Sequence, residues 1–259
     1  MNKQNNRVGE KIVNKYGTLT EIIQYNNHDN IIVLCDNKYM VQSRYDVFKR
    51  GRTLSPYDKF VLNIGYKGEG IYNIRENNKD TFLYTEWHSM LARCYNNNQQ
   101  ISSKTRVYET CSVCDGWHNF QNFAQWYTDN YYKIEGEKLH LDKDILCKGN
   151  QIYAPTNCIL VPTRINMLFA KSKKSRGEFP IGVTFNKKEN KFHARCSIYV
   201  DGKSKNKSLG YYITQEEAFY KGYKPFKEKY IKEVADQYKD KIPKKLYDAM
   251  YKYEVEITD

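Results

Sequence analysis

The spacing of apolar residues changes twice along this chain, and this change constrains the fold more than any other feature. Up to residue 56 apolar residues alternate in short runs, as they do in half-buried strands. From residue 85 they recur at helical spacing, and after residue 178 the alternation returns before a last helical stretch. Such mixed periods predict an α+β fold rather than a helical bundle or a single sheet.

Three modules follow from these stretches. We predict a small β module over residues 1–70, a central module of helices and strands over residues 71–171, and a C-terminal module over residues 172–259. The polar, basic segment at residues 171–177 has the composition of a linker. The chain of 259 residues is long enough for one to three such units.

Turn residues and capping patterns mark elements inside each module. Strands are predicted over residues 18–25, 30–35, 39–43, 138–146, 158–161, 181–185, 191–200 and 207–212. Helical stripes begin at Trp87 and Phe120, and a short helix is predicted over residues 163–169. Thr214 and Glu217 form a capping box that opens a longer helix.

The chain carries a formal net charge of +12. Clustered positive charge attracts polyanions and releases counterions when phosphates bind, although a lysine-rich solubilising surface would give the same count. The longest aliphatic run, residues 31–34, is too short to span a bilayer, and no apolar stretch follows the charged N-terminus. We therefore expect a cytoplasmic protein that has no membrane partner.

Seven cysteines, an odd number, argue against a disulfide framework. Cys111 and Cys114 have the spacing of half a zinc site, but a structural site needs four ligands, usually as two close pairs. There is no second pair at that spacing, so Cys147 and Cys158 would have to converge on the first. Structural zinc stays open, and buried thiols are the simpler expectation.

An acidic stretch of the central module offers catalytic chemistry. Residues two apart on a strand share a face, so His140, Asp142 and Asp144 are predicted to point the same way. Asp142 with Asn157 or Asn166 could hold a divalent metal, Mg²⁺ or Mn²⁺, through hard oxygen ligands. His140 or Asp144 would prepare a water for phosphodiester cleavage. Asp142 and Asn157 could instead stabilise turns, because both residue types bond local backbone.

The order of residues around this stretch carries a family resemblance. The positions concerned are Trp87, Met90, Arg93, Cys94, Val113, Cys114, Trp117, Asn119, Phe120, Leu141, Asp142, Lys143, Asp144, Tyr153, Pro155, Asn157, Cys158 and Asn166. In this order they resemble the HNH endonuclease family, particularly its bacteriophage members, over about residues 85–170. The resemblance implies an HNH-like ββα core with nuclease chemistry. Lys143 stands where the family has a general-base histidine, and His140 is the candidate substitute.

A second resemblance covers about residues 178–235. Strand 191–197 alternates, with Lys191, His193, Arg195 and Ser197 on one face, and it is flanked by Gly182-Val183, Leu209-Gly210, Tyr212, Thr214 and Glu216-Glu217-Ala218. A half-solvated antiparallel sheet gives the same alternation. The full pattern resembles the Apetala-type domain of plant ethylene-response factors.

That resemblance implies a three-stranded antiparallel sheet packed on one helix, with the sheet in the DNA major groove. It assigns base contacts to Thr184, Asn186, Arg195 and Ser197, and phosphate contacts to Lys191, Lys203, Lys205 and Lys207. The family often has Arg at positions 184, 186 and 197, and fewer guanidinium groups mean fewer bidentate guanine contacts.

The leading hypothesis is a phage or mobile-element endonuclease that binds double-stranded DNA and hydrolyses phosphodiesters with a metal. One alternative is a DNA-binding regulator that has kept the HNH-like scaffold and lost its activity. Another is a phage counter-defence protein that binds a host protein in the infected bacterial cell. The replaced histidine keeps the first two hypotheses close.

Overall fold

The computed structural model describes residues 7–96, 110–170, 178–200 and 202–259, and the predicted linker at residues 171–177 lies outside them. The described residues form a mixed α+β structure with several antiparallel sheets, which confirms the fold class at that level. Contacts separate two compact units, Met1–Asp129 with Ile152–Ala154 and Asn130–Gln151 with Pro155–Asp259. The three predicted modules, with boundaries at residues 70 and 171, are a different division and stay a prediction.

The first unit opens with an antiparallel sheet of four strands in sequential order. The strands are β1 (Lys11–Val13), β2 (Leu19–Asn27), β3 (Asn30–Cys35) and β4 (Tyr39–Ser43). Asp36 and Asn37 make the β3–β4 turn with φ of 49° and 55°, a conformation that Asp and Asn tolerate. Alternate residues of β2 and β3 are buried with Phe48 of helix α1 (Tyr45–Lys49).

A buried polar network closes this sheet module. The carboxylate of Asp58, only 5% exposed, accepts hydrogen bonds from Asn14 Nδ2 at 2.6 Å and from the Ser55 amide at 2.7 Å. The Thr18 hydroxyl donates to the other carboxylate oxygen. A buried carboxylate is tolerated when hydrogen bonds satisfy it. Asp58 thereby joins its own loop to Thr18 and Asn14, which lie 40 and 44 residues away in the sequence.

Two helices follow the sheet in the first unit, α2 (Phe82–Tyr95) and α3 (Phe120–Asn130). Both predicted stripes are buried, and the Trp87 indole donates to the Trp117 carbonyl at 2.7 Å. Small strand pairs flank the helices: β5 (Arg75–Glu76) with β6 (Lys79–Asp80), and β7 (Ser112–Val113) with β9 (Ile152–Tyr153), the latter parallel. Helical periodicity was therefore sufficient to find α2 and α3.

The second unit contains a strand pair followed directly by a helix. β8 (Leu139–Asp142) pairs antiparallel with β10 (Ile159–Pro162), and α4 (Thr163–Leu168) begins at the next residue. The strand predicted over residues 138–146 ends at Asp142, because Asp142 bonds the backbone of the following turn. The order β–β–α is the one that the HNH resemblance implies, but membership in that family stays a prediction.

The C-terminal part of this unit is a three-stranded antiparallel sheet, ordered β11 (Val183–Asn186), β12 (Lys191–Val200) and β13 (Lys203–Tyr212). One continuous helix lies across it, which we call the cross-sheet helix: Gln215–Glu217, the π-helical segment Ala218–Tyr223 and Lys224–Gln237. Thr214 caps it by accepting a hydrogen bond from the Glu217 amide at 3.1 Å, as predicted. A last helix, Lys244–Lys252, follows it.

Two glycines let the cross-sheet helix approach the sheet closely. A Cβ at Gly222 would lie 2.7 Å from the Ala194 Cβ, and a Cβ at Gly182 would lie 2.0 Å from the Tyr223 ring. Larger side chains would therefore push helix and sheet apart. Within the described ranges, no helix has both the length and the apolar character needed to cross a membrane.

Candidate nucleic-acid interface and acidic turn

The C-terminal sheet has one face turned towards the cross-sheet helix and one face turned away from it. Along β12, Ala194 and Cys196 are buried, whereas Arg195 and Ser197 are exposed. Side chains that face each other across strands share a side of the sheet, so the register defines the outward side, which we call the open face. Its residues are Thr184, Asn186, Lys191, His193, Arg195, Ser197, Tyr199, Ser204, Asn206, Ser208 and Tyr211.

Five of the residues predicted to contact DNA lie on the open face. They are Thr184, Asn186, Lys191, Arg195 and Ser197. Two of them also have local partners: Asn186 Oδ1 accepts the Lys188 amide at 2.9 Å, and Ser197 Oγ lies 2.8 Å from Ser204 Oγ. The Asn186 amide therefore holds the β11–β12 turn in addition to any contact it makes outside the protein.

A β-bulge changes the facing of β13. Ala194 pairs with Gly210, but the next residue, Arg195, pairs with Ser208, so Leu209 has no direct partner on β12. One extra residue reverses which side chains point inwards along the rest of a strand. Gly210 has a φ of 113°, which suits glycine at such a position.

The bulge divides the predicted phosphate-binding set between the two sides of the sheet, and the phosphate contacts themselves stay a prediction. Lys203, Lys205 and Lys207 are paired with inward-facing residues of β12, so they lie on the side of the cross-sheet helix and not with Lys191 on the open face. Lys207 Nζ lies 4.8 Å from the ring centroid of Phe226, a residue of that helix. The sequence alternation could not show this, because it assumes an unbroken phase along the strand.

The three strands carry only positive formal charge. Lys191 and Arg195 are on the open face, and Lys203, Lys205 and Lys207 are on the other. Over the described residues of β11, β12 and β13 there is no Asp or Glu. The sheet is therefore a local concentration of the charge that the composition shows for the whole chain.

His193, to which the family resemblance assigns no DNA contact, lies on the open face. The His193 ring stacks on Tyr211, with centroids 4.4 Å apart, and Nε2 lies 2.8 Å from Ser208 Oγ. Burial, and then the nearby charge of Arg195, lower the pKa of His193, which favours the neutral form of its ring. The sequence alternation predicts the face on which His193 lies. Its contacts with Tyr211 and Ser208 depend on the pairing of β12 with β13, which the alternation does not give.

The predicted metal-binding carboxylate forms a turn, which we call the acidic turn (residues 142–145). Asp142 Oδ1 accepts the backbone amides of Asp144 and Ile145, both at 2.8 Å. Burial raises the pKa of Asp142, although the two amide hydrogen bonds act in the opposite direction. Asp142 therefore stabilises the turn through Oδ1. Its other oxygen, Oδ2, has no hydrogen bond among the described residues.

Lys143 and its neighbours hold the next part of this loop. Lys143 is 8% exposed, and its Nζ contacts Asp144 Oδ1 at 2.7 Å and the Asn150 carbonyl at 2.8 Å. The Asn150 side chain returns a hydrogen bond to the Lys143 carbonyl at 2.8 Å and accepts one from Asn157 Nδ2 at 3.2 Å. Asp144 is thus paired with Lys143, and Asn157 is hydrogen-bonded to Asn150. The sequence pattern assigns no role to Asn150.

His140 points to the same side of β8 as Asp142, as predicted from their spacing. Its Nε2 lies 2.9 Å from the hydroxyl of Thr163, which donates to the Lys138 carbonyl at 3.0 Å. Since that hydroxyl has one hydrogen, which it donates to the carbonyl, the contact with His140 is consistent with Nε2 as the donor. Asn166 lies half-buried on α4, one helical turn from Thr163.

None of the described cysteines forms a disulfide, and Cys111 is buried. Cys111 and Cys114 belong to the first compact unit, whereas Cys147 and Cys158 belong to the second. In the part of the chain that the structure describes, no three His, Cys, Asp or Glu side chains cluster as a metal-binding group. That finding concerns His, Cys, Asp and Glu and does not include amide oxygens. A metal site formed by Asp142 with Asn157 or Asn166 therefore stays a prediction.

Comparison of the chain with protein-family models, with curated proteins and with solved structures gave no match. The two family resemblances therefore rest on the residues named in the sequence.

Proposed function

We propose that this protein binds double-stranded DNA through the open face of its C-terminal sheet. The observation that carries this proposal is the charge of the sheet: Lys191 and Arg195 on the open face, three further lysines behind it, and no carboxylate on any described strand residue. Duplex DNA presents one negative charge per about 1.7 Å of axis. Strands without carboxylates add no like-charge repulsion when the sheet approaches such a polymer.

The shape of the sheet supports the same partner. The major groove is about 12 Å wide and admits a two-stranded ribbon. β12 and β13 have ten residues each, and at about 3.3 Å per residue they extend about 30 Å, close to one turn of B-DNA.

The side chains of the open face suit base edges. An arginine such as Arg195 can bond guanine through two parallel hydrogen bonds, and an amide such as Asn206 can bond adenine in the same way. Ser197, Ser208 and Thr184 add hydroxyls that both donate and accept. The single guanidinium on this face predicts modest sequence preference, with most of the affinity supplied by charge.

Fluorescence anisotropy with a labelled duplex of about 30 base pairs tests the proposal. The full-length protein is compared with Arg195→Ala and with Lys232→Ala, a control that removes an exposed lysine of the cross-sheet helix away from the open face. Loss of a bidentate contact costs about 1–3 kcal/mol, so Arg195→Ala should weaken binding about 5-fold to 150-fold. Equal weakening by both substitutions, or no binding by the parent protein, would refute the open-face proposal.

A second candidate function is metal-dependent phosphodiester hydrolysis at the acidic turn. It is favoured by the shared facing of His140 and Asp142 and by Asp142 Oδ2, which has no hydrogen bond among the described residues. A bound Mg²⁺ or Mn²⁺ would supply charge stabilisation and a more acidic water. His140 would take up the proton of that water, and the Thr163 hydroxyl would orient the ring through Nε2.

Plasmid nicking with Mg²⁺ or Mn²⁺ separates the two candidates. Asp142→Asn keeps an acceptor for the turn amides while it removes the carboxylate, and Asp240→Asn is the matched exposed control. Nicking that Asp142→Asn abolishes and Asp240→Asn retains would support the nuclease. DNA binding without nicking leaves the inactive DNA-binding regulator, and nicking equal in all three proteins would exclude the acidic turn.

A further inference from the structure

A cavity of about 670 Å³ lies within the second compact unit and borders one end of the open face, where Ser197, Tyr199 and Ser204 line it. Its walls come from residues 136–138, from helix α4, from residues 196–199 of β12 and from the cross-sheet helix. Small-molecule sites have volumes of about 300–1,000 Å³. The size of the cavity therefore suits a small organic ligand.

The cavity borders the part of β12 that has no strand on one side. β11 pairs with β12 only from Lys191 to Ala194, and among the described strands residues 196–199 are paired with β13 alone. On the unpaired side, the Tyr230 hydroxyl accepts the Tyr199 amide at 2.8 Å. Side chains of helices, rather than a fourth strand, thus satisfy this edge and leave room beside it.

One cation of the cavity has an unsatisfied donor. Arg164 Nε is buried and has no hydrogen-bond partner among the described residues. Its guanidinium lies between two tyrosines, 5.8 Å from the Tyr199 ring and 5.9 Å from the Tyr238 ring. A buried unpaired donor costs about 1–3 kcal/mol, so an acceptor delivered by a ligand would recover that energy.

A second cation, Lys227, lies in the same cavity. It has no ion pair or hydrogen bond with any residue that the structure describes. Burial lowers the pKa of Lys227, which means that the surroundings disfavour its charged form. A bound anion would reverse that effect, because an opposite charge favours the protonated ammonium.

The cavity has little negative charge of its own. Among the described residues that line it, Glu137 is the one carboxylate, and it is already occupied by the Tyr238 hydroxyl and the Arg164 amide. The remaining lining includes a third cationic residue, Lys138, together with tyrosine rings and hydroxyls such as Thr163 and Ser204. Cations such as Arg164 and Lys227 suit a phosphate, and tyrosine faces offer planar groups a stacking surface.

We propose that this cavity binds a nucleotide, with the phosphate between Arg164 and Lys227 and the base against the ring of Tyr199 or Tyr238. The site borders the open face at Tyr199, but its two named cations, Arg164 and Lys227, are not among the open-face residues. The proposal therefore does not depend on duplex binding. It also needs no metal ion at the acidic turn.

Calorimetric titration of the full-length protein with AMP tests the proposal, with adenosine and inorganic phosphate as partial probes and EDTA present throughout. AMP should bind at least tenfold more tightly than either partial probe, because it uses both the cations and a tyrosine face. Lys227→Met, which keeps the aliphatic stem, should weaken AMP binding at least tenfold, whereas the exposed control Lys232→Met should not.

Two further readouts keep a folding defect from being mistaken for lost binding. Lys227→Met removes a cation that is unpaired in the described structure, so its melting temperature should equal or exceed that of the parent protein. AMP binding at alkaline pH should take up protons, detected as a binding enthalpy that varies with the buffer. No binding of AMP at millimolar concentration, or equal affinity of AMP and adenosine, would overturn the proposal.

Discussion

Replacing Gly182 by alanine is the sharpest test of how the open face is held in place. Gly182 has a φ of 75°, and a Cβ there would lie 2.0 Å from the ring of Tyr223 in the cross-sheet helix. Gly202, in the turn between β12 and β13, has a φ of 74° and nothing within 4 Å of the same Cβ position. The two glycines therefore share the backbone strain and differ only in packing.

The expected loss follows from three terms. A left-handed backbone conformation costs a residue other than glycine about 1–2 kcal/mol, and the smaller entropy of the unfolded alanine chain returns about 0.4–1 kcal/mol. Gly202→Ala should thus lose about 0–1.6 kcal/mol. Overpacking adds about 1–3 kcal/mol, and because Tyr223 is 5% exposed and confined, Gly182→Ala should lose about 2–3 kcal/mol more than Gly202→Ala.

Amide hydrogen exchange of the full-length chain, read peptide by peptide, provides the assay. Peptides of β12 should exchange faster in Gly182→Ala than in Gly202→Ala. Peptides of α2, in the other compact unit, serve as an internal control. Equal acceleration of β12 exchange in the two variants would show that the contact with Tyr223 does not hold the sheet, and the packing argument would be wrong.

Two further stability predictions concern carboxylates. Burial raises the pKa of Asp142 above its ordinary value of 3.8, so the folded state favours the protonated carboxyl. The resulting stabilisation is complete below pH 3.8 and is lost as the pH rises through the higher pKa of the folded state. The unfolding free energy of the parent protein should therefore fall with rising pH relative to Asp142→Asn in urea denaturation, and parallel pH profiles would contradict this. Asp58→Ala removes the acceptor of Asn14, Thr18 and Ser55 and should cost about 3 kcal/mol or more, measured by urea denaturation with tryptophan fluorescence. A cost below about 1 kcal/mol would mean that water replaces the carboxylate.

Local patterns allowed several elements to be predicted from the sequence. The stripe that begins at Trp87 and the cap formed by Thr214 depend on residues within one or two helical turns, and both are confirmed. The strands over residues 30–35 and 39–43 are confirmed as well, because turn residues bound them on both sides.

Features that depend on pairing between distant residues were not predictable. Because of the bulge beside Gly210, three lysines of β13 lie on the side of the cross-sheet helix and not on the open face. The alternation of residues along β13 does not indicate this. The strand at Asp142 ended early because its side chain captured two backbone amides. The pairing of Lys143 with Asn150 and the meeting of Arg164 with Lys227 at one cavity likewise require the tertiary arrangement.

The dependence of duplex affinity on salt tests the central claim most directly. Each phosphate neutralised by a side chain contributes about 0.9 to the slope of log affinity against log salt concentration. Removing both open-face cations by Lys191→Ala and Arg195→Ala should therefore reduce the slope by up to about 1.8, whereas Lys232→Ala should leave it unchanged. A parent protein whose duplex affinity does not fall with salt, or a double variant that keeps the full slope, would contradict binding through the open face.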